Sequence, residues 1–223
     1  MPVTPVRLRV DAPFELWQVP LVDDEDASGT QLLDVHERAC AARFLFEHHR
    51  RRYVAAHVAL RRLLAARTGI DAAALVFATG EHGKPFLATT PRCAFSISRC
   101  DDLALVALAD DGDIGVDLER VRRLPDLDAL AGQCLTATER RELDDLPSDG
   151  RALALLRCWT RKEACLKALG TGLRIEPASF DAGLGADARV LRVGKAGTGH
   201  VAVHSLDPAP GWVASLAQVV PSA

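Results

Sequence analysis

Apolar positions along this chain follow two rhythms in turn. After an extended start, from about Gln31 to Thr68, the residues Leu32, Leu33, Ala39, Phe44, Phe46, Val54, Val58, Leu63 and Leu64 recur at helical spacing. The spacing predicts helix, with Gly69 as its stop and a bend near residues 48–52 that no Gly or Pro marks. "LVFATGEHGKPFL" (75–87) then reads as a short strand, a Gly-rich turn and another extended piece. "CAFSIS" (93–98) and "LALVALA" (103–109) read as strands. The turn signal "DDGD" (110–113) leads into "IGVDLE", and strand, Asp-Gly turn, strand predicts an antiparallel hairpin.

The second half repeats that order. "TATERRELDDL" opens with Thr136 followed three residues later by Glu139, a capping-box signature. A longer helix is expected from about Arg151 to Leu169, with Gly170 as its stop. Strand-like runs follow at 189–193, 199–206 and 212–220. Helices followed by strands, twice, predict an α+β fold of two tandem similar lobes, divided as residues 1–112 and 113–223. No residue-level internal repeat is visible, so the duplication is an expectation about architecture alone.

Composition adds only exclusions. The 223 residues are 48% hydrophobic and 26% charged, a globular balance with enough chain for a substantial core. A formal net charge of -3 gives no reason to expect nucleic acid as a partner. The longest apolar run, residues 103–109, is too short to span a bilayer, and no signal-peptide pattern opens the chain. Six cysteines without a CxxC pair are expected as reduced thiols, and the location as cytoplasmic.

Candidate chemistry lies in two stretches. In "IGVDLE", Ile114, Val116 and Leu118 alternate with Gly115, Asp117 and Glu119, so both carboxylates fall on one face of a strand. Either that face is in water or something positive sits on it. In the long helix, Ala152, Leu155, Leu156, Trp159 and Leu166 form an apolar stripe, and Glu163 lies in its middle. A carboxylate there is costly unless paired or bound to a cation. The plain alternative is an i,i+4 pair with Lys167 at the helix edge. If the three carboxylates converge, their hard oxygens suit Mg²⁺, with Mn²⁺ accepted by the same ligands. Lys162 and Lys167 beside them suit a polyphosphate.

"GVDLE", followed about forty residues later by "WTRKEACLKALGTGL", resembles the paired signature of the 4′-phosphopantetheinyl transferases, the larger two-lobed type. The matching residues are Gly115, Asp117 and Glu119, then Trp159, Lys162, Glu163, Ala164, Lys167 and Gly170. "GKP" (83–85) and "CAFSIS" stand in the order the family has them. The resemblance implies two tandem α+β copies related by a pseudo-twofold, with coenzyme A in the cleft between them. It implies transfer of 4′-phosphopantetheine from coenzyme A to a serine of an apo acyl or peptidyl carrier protein, with release of adenosine 3′,5′-bisphosphate, as in holo-carrier-protein synthases. Asp117, Glu119 and Glu163 would hold Mg²⁺. Lys167, and Lys162 nearby, would contact the pyrophosphate, and Glu163 is one candidate for the base that takes the serine proton.

By the same resemblance, Arg61 and Lys84 would meet the 3′-phosphate of coenzyme A, with Arg52 a third option. Trp159 is expected to pack against the site. The family's usual F-N-x-S-H-S reads "FSISRC" here: Phe95 and Ser98 are kept, and Arg99 replaces a phosphate-contacting His as a permanent cation. A competing reading is a non-catalytic relative that binds coenzyme A or carrier protein. A second is an unrelated Mg²⁺-dependent phosphate enzyme, which would predict a phosphate loop that the chain lacks. "ERVRRL" (119–124) is a candidate surface for an acidic carrier, with a solvated charge run as its alternative. A monomer is expected, and no membrane contact.

Overall fold

The computed structural model describes residues 4–10, 13–21, 29–90, 93–110, 112–194 and 199–221. The chain divides into two compact units. One holds residues 1–79 and 85–111, and the other holds 80–84 and 112–223. Each is an antiparallel sheet carrying helices, so the α+β class holds.

In the first unit the strands are β1 (Val6–Leu8), β2 (Glu15–Pro20), β3 (Phe77–Thr79), β4 (Pro85–Leu87), β5 (Ala94–Cys100) and β6 (Leu103–Ala109). Four of them form a sheet in the order β1-β2-β6-β5, and β3 pairs with β4 separately. The predicted helix at 31–68 is two helices, α1 (Val35–Ala42) and α2 (Glu47–Thr68). Asp34 opens α1 with a full capping box to Glu37. The break falls at residues 43–46, where Phe46 is extended and the Phe44 ring reaches Tyr53, 5.5 Å between centroids. It therefore lies just before the expected bend. Ala56, Ala59, Leu60 and Leu64 of α2 close the core over Val19, Phe95, Ala104, Val106 and Leu108 of the sheet.

The second unit runs β7 (Ile114–Arg120), α3 (Leu127–Cys134), α4 (Ala137–Asp144), α5 (Ser148–Leu169), β8 (Arg189–Val193), β9 (Gly199–Leu206) and β10 (Trp212–Val220). Its sheet order is β7-β10-β9-β8. The expected hairpin of 103–109 with 114–119 does not form. β6 pairs with β2 and β5, and β7 pairs with β10. A turn signal is local information, and Gly112 does turn the chain at φ +81°. Pairing is a tertiary outcome, and β6 already has a partner on each edge. Asp111 of that turn lies outside the described residues.

The units share devices. In each, the first strand of the motif pairs with the last, and the last with the one before it: β2-β6-β5 and β7-β10-β9. In each, a capping-box helix precedes a 22-residue helix closed by a left-handed glycine, Gly69 at φ +72° and Gly170 at φ +66°. In each, that long helix buries a cation against the capping-box glutamate. Arg61 Nε donates to Glu37 at 2.7 Å, and Lys162 Nζ donates to Glu139 at 2.5 Å. Both cations stand eight residues before their glycine.

Candidate active site

α5 lies directly on the strand face that carries Gly115, Asp117 and Glu119. A Cβ added at Gly115 would stand 2.0 Å from the Ala164 carbonyl oxygen and 2.5 Å from the Ala168 nitrogen. Only glycine allows helix backbone to come this close to strand backbone. The face is therefore covered by the signature helix. Asp117 is 7% exposed, and Ile114, Val116 and Leu118 on the opposite side are buried too.

This packing brings both signatures together. Lys167 Nζ donates to Asp117 Oδ1 at 2.7 Å and to the Val116 carbonyl at 3.1 Å. The helix-edge pair is thus not where Lys167 goes, although its charge still reaches Glu163. Burial pushes the half-buried Glu163 carboxyl above its ordinary value, Asp117 pushes it further, Lys167 opposes, and Glu119 adds to the rise. Three carboxylates within reach of one another's charge disfavour full ionisation unless a cation joins them.

The donor set fits a hard divalent ion: carboxylate oxygens with no soft ligand. Among the described residues no three His, Cys, Asp or Glu side chains stand as a ready ion cage. Lys167 supplies the nearest positive charge to Asp117, so a bound ion would require the carboxylates to draw in around it. The residues that would hold it are Asp117, Glu119 and Glu163.

Two expected phosphate contacts are corrected by the structure. Lys162 is fully buried, with its three donors on Glu139, the Cys134 carbonyl at 2.7 Å and the Pro177 carbonyl at 2.8 Å. Arg61 is also fully buried, bonded to Glu37, Asp34 and the carbonyls of Ala72 and Leu75. Lys162 has no donor to spare for a pyrophosphate, and Arg61, 0% exposed, spends four of its five donors inside the protein. Helical spacing placed both on long helices. It could not show that a glutamate more than twenty residues upstream claims each of them.

Lys84 is engaged within the second unit: its Nζ donates to Asp113 Oδ1 and to the Ala168 carbonyl, both at 2.7 Å. Trp159 packs against the second core. Ser98 is buried on β5. The exposed Arg99 holds its guanidinium over the rings of Phe44 and Tyr53, 5.2 and 5.4 Å from their centroids. Arg52 sits on α2 with a buried Nε that has no hydrogen-bond partner among the described residues. Asp113 and Glu139 were not singled out as site residues. Glu139 left its capping-box signature and Asp113 left none.

Two family models cover nearly the whole chain. The 4′-phosphopantetheinyl transferase superfamily matches residues 113–217, and the 4′-phosphopantetheinyl transferase N-terminal family matches residues 20–110. The chain is 34% identical over 180 residues to the 4′-phosphopantetheinyl transferase HetI of Nostoc sp., covering 78% of this chain and 75% of that one. It is 30% identical to the 4′-phosphopantetheinyl transferase psf-1 of Bacillus pumilus, over 78% and 74% of the two chains. A 4′-phosphopantetheinyl transferase of Bacillus subtilis is 26% identical, over 77% and 75%. The chain belongs to the 4′-phosphopantetheinyl transferase family. It is an enzyme that transfers phosphopantetheine from coenzyme A to a carrier protein. Among the described residues no helix is long and apolar enough to cross a membrane.

Proposed function

We propose that the acidic face of β7 and the facing side of α5 form the metal and pyrophosphate site of this transferase. The observation that supports it most is the glycine-mediated packing that sets Lys167 on Asp117 and puts Glu163 within reach of both strand carboxylates. Asp117, Glu119 and Glu163 would hold Mg²⁺, or Mn²⁺, which when bound would offset negative charge on the pyrophosphate.

Lys167 holds a pyrophosphate oxygen by charge, its ammonium being part-exposed and already aimed at the cluster. The carrier serine oxygen forms a bond to the β-phosphorus, and the bond to the bridging oxygen breaks. That oxygen leaves with adenosine 3′,5′-bisphosphate. The serine proton passes to Glu163, directly or through a water. Burial and neighbouring carboxylates raise the proton affinity of Glu163.

Arg52 and Arg99 are the proposed contacts for the 3′-phosphate, with Ser98 beside Arg99. Arg52 has a donor without a partner among the described residues, and Arg99 is an exposed residue whose guanidinium lies over two rings. The exposed Arg122 and Arg123 are the proposed landing for an acidic carrier. The shared strand order, capping boxes and buried cations support two tandem copies of one fold related by a pseudo-twofold. All six cysteines are free thiols, which supports action in a reducing compartment such as the cytoplasm.

The test is the intact mass of an apo carrier protein after incubation with the enzyme, coenzyme A and Mg²⁺, with an EDTA control. A gain of one phosphopantetheine that EDTA abolishes is expected. A gain unaffected by EDTA would refute the metal site. No gain with coenzyme A still bound would favour a non-catalytic binding protein.

A further inference from the structure

Lys84 comes from the "GKP" turn, and its contacts are those of a clamp. Its ammonium joins two elements of the acidic site. One bond runs to Asp113, immediately before β7, and the other to the Ala168 carbonyl in the last turn of α5. A cation on a last-turn carbonyl is favoured by the helix dipole and satisfies an acceptor left without an intrahelical donor. The Lys84 stem lies along Gly170, the left-handed residue that ends α5. A Cβ there would stand 3.1 Å from Lys84 Cδ and 3.4 Å from Lys84 Cβ.

The clamp also meets the tightest helix–strand contact of the site. Ala168, whose carbonyl Lys84 holds, presents its nitrogen to the position a Gly115 side chain would occupy. Lys167 is its chain neighbour, and Asp117, the partner of Lys167, lies two residues beyond Gly115. A slide of α5 along β7 would change the Lys167–Asp117 distance and the spacing of Glu163 from the strand carboxylates. Nothing covalent near the site prevents that slide. Lys84 opposes it by holding both elements at once.

We propose that Lys84 is a positioning residue, which sets the register of α5 on β7 and thereby the arrangement of Glu163 and Lys167 against Asp117 and Glu119. The proposal rests on the reading of those residues as the metal and pyrophosphate site. It assigns Lys84 a role through the protein, in place of a contact with the 3′-phosphate of coenzyme A.

Lys84→Met keeps the stem and removes the ammonium. It is measured beside Asp113→Asn and the double variant, in transfer kinetics, coenzyme A calorimetry and hydrogen exchange of segments 113–117 and 164–170. Expected for Lys84→Met is a fall in kcat of roughly 10- to 100-fold, the loss usual for residues that orient a metal site. The Kd and KM for coenzyme A should change far less than kcat, since the proposed 3′-phosphate contacts at Arg52 and Arg99 are untouched. Asp113→Asn should reproduce most of the loss, the double variant should add little to it, and Lys84→Arg should restore part. Exchange of both segments should quicken in Lys84→Met. A rise in coenzyme A Kd with kcat intact would overturn the proposal and make Lys84 a phosphate contact. Additive losses, or unchanged exchange, would overturn it as well. If the wild-type enzyme transfers nothing, the site reading fails, and the exchange measurement still decides whether the clamp exists.

Discussion

Lys162→Met separates a buried structural lysine from a catalytic one. Lys162 is fully buried, and its partner Glu139 is 1% exposed. At 2.5 Å and an effective dielectric of about 20, their gross attraction is about 7 kcal/mol. Desolvation of both ions offsets much of that, several kcal/mol for each. Methionine has nearly the right length and no charge, so the core stays filled. What remains is a carboxylate in an apolar interior, still bonded to the backbone nitrogens of Thr136, Ala182 and Gly183 but without its cation. Removing one member of a buried pair costs about 3–5 kcal/mol. For a unit of this size the midpoint should fall by about 10 °C or more. The assay is thermal unfolding by circular dichroism, with the KM for coenzyme A measured well below the midpoint. A large drop in Tm with an unchanged KM is expected. An unchanged Tm with a KM raised tenfold would refute the reasoning and return Lys162 to the pyrophosphate. Glu139→Met should be worse than Lys162→Met, because it also orphans three backbone N–H groups at about 1–3 kcal/mol each.

Gly115→Ala should force α5 off β7, since the new methyl would meet backbone at 2.0 and 2.5 Å; a loss of transfer and of about 3 kcal/mol in urea unfolding is expected, and a fully active variant would contradict the packing. Acid should destabilise the fold through Glu37 and Glu139. Burial raises each carboxyl, yet hydrogen bonds outweigh it, chiefly from His57, Asp34 N–H and Arg61 to Glu37 and from Lys162 and Thr136 N–H to Glu139, so both lie below the ordinary 4.5. Their contribution is therefore full above about pH 4.5 and is lost as pH falls through the lowered values. Tm against pH should show that decline, and Glu139→Gln should flatten it. Reversing the charge of Arg122 and Arg123 should raise the KM for an acidic carrier about tenfold, more at low salt, and leave the KM for coenzyme A alone; steady-state kinetics at two ionic strengths decides. Arg99→Ala should raise the KM for coenzyme A, and an unchanged value would remove Arg99 from the phosphate contacts.

Sequence alone determined the class, because the informative patterns are short and local. Alternation in "IGVDLE" put two carboxylates on one face, helical spacing put Glu163 and Lys167 on one helix, and both signatures are complete in the residues themselves. The capping box at Thr136 was legible for the same reason and forms as expected. The tertiary structure decided everything that depends on distant partners. It covered the carboxylate face with α5, because Gly115 admits a helix there. It separated β6 from β7, because pairing follows available edges and the turn does not set it. The expectation of a duplication, invisible residue by residue, draws its support from Glu37–Arg61 and Glu139–Lys162 standing at matching places. A basic side chain near a phosphate motif looks the same in sequence whether it faces ligand or core. Arg61 and Lys162 turned inward because a buried glutamate and backbone carbonyls, with Asp34 as well for Arg61, take up most or all of their donors, and Lys84 turned to a helix end for a related reason. Charge is written in the sequence, but which opposite charge lies within 3 Å of it is fixed only by packing.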